Sequence, residues 1–109
     1  MAELSTLVRA AQQGDKDAYN QVVLRFQDMA YATAYAMIGD AGLAQDAAQE
    51  ALIDAYLSLA NLREPEAFPG WFRRIVLKHS DRQTRGKQAT MVPIDDLFDL
   101  RSALADPAL

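Results

Sequence analysis

The sequence predicts an all-α fold, a compact bundle of about four helices followed by a C-terminal linker-like tail. Three observations lead there. Apolar residues recur at offsets of three and four, and no stretch alternates with the period of two that a strand requires. Helix breakers are scarce, with 5 Gly and 4 Pro among 109 residues, while Ala, Leu, Gln, Asp and Arg are abundant. The Gly and Pro residues punctuate the periodic stretches at Gly14, Gly39, Pro65, Pro69 and Gly86.

Each helix can be justified in turn. Leu4, Leu7, Val8 and Ala11 mark a short amphipathic helix, with Gly14 just past its end. Asp15 is placed to cap a long helix from about Asp17 to Ile38, whose apolar face is Tyr19, Val22, Val23, Phe26, Ala30, Ala34 and Met37. Gly39 stops it. A third helix is expected from about Leu43 to Ala60, and a loop from Asn61 to Gly70 with Pro65 and Pro69 as breakers. A fourth is expected from Phe68 or Trp71 to Arg85, closed by Gly86. Beyond it Pro93 interrupts the pattern, Ile94 to Leu100 could form an acidic turn or two, and Ser102 to Leu109 reads as a tail. The organisation expected is therefore a helical domain over 1–88 and an acidic linker or tail over 89–109.

Composition narrows the function classes. The absence of cysteine excludes disulfides, thiolate metal sites and a Cys nucleophile, and a single His excludes a typical structural zinc site. No apolar run is long enough to span a bilayer and no signal peptide opens the chain, so a cytoplasmic protein without membrane attachment is expected. No nucleophile–base set, metal-ligand set or phosphate loop is visible; an enzyme, a metal and a cofactor are not expected.

Charge is unevenly spread. The window from Arg73 to Lys87 holds six of the eleven cations against Asp81 alone, and the rest of the chain has five basic and fourteen acidic residues. Such a split suggests two partner surfaces of different chemistry.

Projection at 100° per residue separates the faces of the third helix. Ala44, Ala48, Ala51, Leu52, Ala55 and Leu59 fall on one side, small enough for close helix packing. Ile53, Asp46, Leu57, Glu50 and Asp54 lie on the other, flanked by Gln49, with no basic residue between Asp40 and Asn61. Two readings stand on spacing alone. The aliphatics either anchor a basic protein partner inside an acidic ring, or pack against another part of this chain.

On the fourth helix, Phe68, Trp71, Phe72, Ile75, Val76 and His79 form an apolar arc, which reads as core. Arg74, Lys78, Arg82 and Arg85 line another edge at spacings of four, four and three. Cations in a row beside an aromatic suit a surface that follows phosphates, whereas scattered charges would merely solvate a helix face. His79 is expected to be packed rather than to contact a base. The ten-residue loop ahead of the helix could hold a base or serve as a plain connector.

The order of these features resembles a known family. Leu7-Val8-Arg9-Ala10-Ala11-Gln12-Gln13-Gly14-Asp15 and Ala18-Tyr19 are followed by Gly39-Asp40, then by Asp46-Ala47-Ala48-Gln49-Glu50-Ala51, then by Gly70-Trp71-Phe72-Arg73-Arg74-Ile75. The series, from about Leu4 to Lys87, resembles region 2 of bacterial sigma-70 family factors of the short extracytoplasmic-function type. The resemblance implies a transcription initiation factor domain. It implies that Asp46, Gln49 and Glu50, and by adjacency Ile53, Asp54 and Leu57, dock on the β′ clamp helices of RNA polymerase core. It also implies that the loop around Arg63 to Gly70, with Phe68, and the cations Arg74, Lys78 and Arg82 engage and help melt the minus-ten element, holding an unstacked base of the non-template strand; Arg85 joins them by its place in the row. An anti-sigma factor is a further partner so implied. The family's second, helix-turn-helix domain is expected beyond 89–109, which would make this chain a domain of a longer factor. The runner-up is a helical protein-interaction module, an adaptor or anti-sigma target, without productive DNA binding.

Overall fold

The N-terminal helix α1 (Leu4–Gln12) ends because the chain turns left-handed at Gly14, φ 99°. The N–H groups of Gly14 and Asp15 cover the freed carbonyls of Ala11 and Ala10, each at 3.0 Å. Asp15 then starts α2 (Lys16–Ile38), its carboxylate accepting from the Ala18 N–H at 3.0 Å. The same two-residue device recurs. Gly39, φ 75°, stops α2, and Asp40 caps α3 (Ala41–Ser58) by accepting from the Leu43 N–H at 2.9 Å. Two short 3-10 turns, Leu59–Asn61 and Pro65–Ala67, carry the chain into α4 (Phe68–Met91). The computed structural model describes residues 3–91, with side chains to Gly86; the expected acidic turn and tail lie outside the described residues.

The four expected helices are present, and no strand occurs among the described residues. Two of the differences in their bounds have a clear physical cause. The third begins at Ala41, because Asp40 rather than a later residue supplies the cap. The fourth does not close at Gly86 but runs on to Met91. A glycine ends a helix where its left-handed φ is used, and Gly86 does not adopt one.

The core is built from α2, α3 and α4, with α1 laid against its end. From α2 come Tyr19, Val22, Ala30, Ala34 and Ile38; Met37, expected in the core, is 42% exposed, and Ile38 takes the inward position. From α3 come Ala44, Ala47, Ala48, Ala51 and Ala55, a seam of methyl groups that brings its neighbours close. From α4 come Phe68, Phe72 and Val76, each fully buried. Phe26 of α2 meets the Phe68 and Phe72 rings edge-on at 5.1 and 6.0 Å, and Phe68 and Phe72 stack at 5.5 Å. Trp71 packs half-buried beside them, 5.8 Å from Phe68.

Candidate functional site

On the outer face of α3 the described residues leave both aliphatics largely uncovered. Ile53 is 60% exposed and Leu57 76% exposed, so neither packs against the described chain. Asp46, Gln49 and Glu50 are exposed on the same helix. The inner side is committed to the alanine seam, so the outer side can carry large apolar groups without disturbing the bundle. Beside it, an open groove of about 430 Å³ runs between α2 and α3, lined by Lys16, Tyr19, Asn20, Val23, Leu52, Ile53 and Tyr56.

Asp54 departs from this pattern. Its helical position groups it with Asp46 and Glu50, but its side chain is only 22% exposed and is turned toward α4. Its Oδ2 accepts from Lys78 Nζ and from His79 Nε2, each at 2.8 Å, and its Oδ1 accepts from Ser58 Oγ at 2.9 Å. These bonds, Lys78 first and His79 next, hold the Asp54 carboxyl well below the usual carboxylate range. His79 is buried, as its place on the apolar arc implied. Its Nδ1 has no hydrogen-bond partner and lies 3.5 Å from Glu50 Oε1.

The cationic edge of α4 is graded. Arg74 and Arg82 are exposed and form no ion pair among the described residues. Lys78 is paired to Asp54, and Arg85 pairs with Asp81 one turn earlier at 3.2 Å. Arg73 is exposed one position before Arg74 and adds a cation beside the row.

The loop ahead of α4 is anchored from beneath. Leu62 and Pro65 are buried, and Gln12 of α1 donates from Nε2 to the carbonyls of Leu59 at 3.1 Å and Leu62 at 2.8 Å. Phe68, placed in the core arc by spacing and against DNA by the resemblance, is fully buried, because Phe26, Trp71 and Phe72 enclose it. It supports the loop rather than offering a ring to a strand. Arg63 is exposed at the loop surface. Sequence reasoning missed Gln12 as an anchor, since a glutamine at a helix end carries no signal of the distant carbonyls it meets.

Residues 22–89 match the family described as sigma-70 region 2. The chain is 42% identical over 71 residues to the RNA polymerase sigma-H factor of Pseudomonas aeruginosa, covering 65% of this chain and 37% of that protein. It is 31% identical over 81 residues to the ECF RNA polymerase sigma factor SigW of Bacillus subtilis, covering 74% and 43%. The chain thus spans about two fifths of the length of these relatives. An engineered region 2 of sigmaE, solved by NMR in complex with GTAAAA, superposes with a TM-score of 0.75 at 25% identity, covering 84% of this chain and 96% of that one. The chain therefore belongs to the sigma-70 region 2 family, in its extracytoplasmic-function branch.

Proposed function

We propose that this domain binds RNA polymerase core through the outer face of α3, and that it recognises and melts the minus-ten promoter element through α4 and the loop before it. The observation that carries the reading is the exposure of Ile53 and Leu57 among Asp46, Gln49 and Glu50. A basic helical partner such as the β′ clamp helices would bury the two aliphatics and complement the carboxylates. The DNA half is supported by the exposed cations Arg63, Arg73, Arg74 and Arg82, and by the nucleic-acid complex of the similar region 2. A melted strand offers phosphates to such cations and bases to the loop. An anti-sigma factor covering Ile53 and Leu57 would compete with core for the same face.

The test is charge reversal. Asp46→Arg with Glu50→Arg places like charges against a basic partner, which costs several kcal/mol, so capture of core should weaken by about a hundredfold or more. Both positions are exposed, so the helical circular dichroism and melting temperature should hold. Undiminished capture of core by the double variant would refute this use of the face.

A protein-interaction module without productive DNA binding is the second reading. The internal pairing of Lys78 and Arg85 and the burial of Phe68 favour it. Titration of labelled single-stranded minus-ten DNA in the presence of core separates the two, because only the first reading predicts discrimination against a scrambled sequence.

A further inference from the structure

The contact between α3 and α4 places a carboxylate inside the cationic row. Arg74, Lys78 and Arg82 stand one turn apart on α4, and the middle member is the one that is not free: Lys78 Nζ lies 2.8 Å from Asp54 Oδ2. The same Oδ2 also holds His79 Nε2 at 2.8 Å, and Oδ1 holds the Ser58 hydroxyl at 2.9 Å. The Asp54 carboxylate therefore keeps two hydrogen-bond donors if Lys78 leaves. Lys78, with half of its side chain exposed, can swing its ammonium outward on a flexible stem without any movement of the helix. A buried pair with no substitute donor would resist separation by several kcal/mol; this one is built to be separable.

We propose that Asp54 is an internal competitor of phosphate for Lys78. In the free domain Asp54 neutralises the centre of the row. When a nucleic-acid strand is laid along α4, a phosphate takes Lys78, and Asp54 remains compensated by His79 and Ser58. Asp54 is then a positioning residue for the DNA face, seated on the helix whose other side meets the protein partner. The inference rests on the reading of α4 as a strand-binding surface. It assigns Lys78 a different energetic role from Arg74 and Arg82, whose binding to phosphate breaks no ion pair among the described residues.

The experiment measures anisotropy of fluorescein-labelled single-stranded GTAAAA, and of a scrambled hexamer, with the 109-residue chain across a series of salt concentrations. A cation that binds phosphate freely contributes about 0.7 to the slope of log affinity against log salt. Arg74→Ala and Arg82→Ala should each remove about that much, and Lys78→Ala clearly less. Asp54→Asn keeps an oxygen for the His79 N–H and frees Lys78. It should steepen the slope by up to about 0.7, equivalent to up to about fivefold tighter binding for each tenfold fall in salt, on both sequences alike. Adding Lys78→Ala to Asp54→Asn should abolish that gain, which a merely structural role for Asp54 would not produce. An unchanged or weaker affinity in folded Asp54→Asn, while the two arginine variants behave as expected, would overturn the inference and leave the DNA reading standing. If neither arginine variant moves the slope, both fall together. Should Asp54→Asn fail to fold, Lys78→Ala decides alone: a full loss of about 0.7 would overturn the competition, and a smaller one supports it.

Discussion

Tyr19 shows how one buried polar atom ties stability to pH. Its hydroxyl donates to the Leu52 carbonyl, and its ring lies 5.0 Å from that of Tyr56. Burial, and secondarily Tyr56, push its ionisation up to about 12. The folded chain therefore keeps the phenol proton where the unfolded chain has begun to lose it. Below the ordinary value of 10.0 this has no effect, and between 10.0 and about 12 stability must fall as pH rises. Urea midpoints measured across that window should decline in the parent, and decline less in Tyr19→Phe. That variant should be weaker at neutral pH by about 1 kcal/mol for the lost hydrogen bond. Asp54 acts in the opposite direction: its stabilisation is present above the ordinary carboxylate value of 3.8 and is lost as pH falls through its depressed folded value. Helical spacing was enough to place Tyr19 and Phe72 inside. It also placed Phe68 inside, against what the resemblance implied, but it was not enough for Asp54, because spacing fixes the side of a helix and not the neighbour that arrives there. Lys78 drew Asp54 inward, and Phe26 closed over Phe68.

Gly39, which ends a helix, and Gly86, which does not, make a matched pair at the scale of the element. Gly39 uses φ 75°, which an L side chain adopts only with strain, whereas Gly86 lies within α4 and a Cβ there would meet open space. Gly39→Ala should lower stability by about 1–2 kcal/mol. Gly86→Ala should raise helix stability by up to about 1 kcal/mol. Thermal melts of the two variants should shift in opposite directions, and a loss of stability in Gly86→Ala would contradict a continuous α4. The sequence distinguishes the two positions only by their C-terminal neighbours. Asp40 provides a new cap after Gly39, while Lys87-Gln88-Ala89-Thr90 offers neither a cap nor a proline after Gly86. Read for glycine alone, both are stops; read with the next residues, only Gly39 is.

Across the whole molecule, the acidic face lies on α3 and the cationic row on α4, and for that reason both were legible in the sequence: the residues of each belong to one helix. Their junction was not legible, since His79 and Asp54 are 25 positions apart and meet only once the bundle is assembled. The alanine seam makes that meeting possible by letting the backbones approach. The support under α4 is also uneven. Among the residues whose side chains are described, Ser80 is the last that is buried, and from Asp81 to Gly86 none is, yet Arg82 and Arg85 of the cationic row stand on those turns. Helix without tertiary packing opens readily. In time rather than distance, the row is therefore divided. Amides from Phe72 to Ser80 should exchange with deuterium only as slowly as the whole domain unfolds, and those from Arg82 to Gly86 within a far shorter period. A bound strand should slow the second group and leave the first unchanged, so that part of the binding free energy is spent on ordering the protein's own last turns; equal protection of both groups before binding would show that the helix end needs no such ordering.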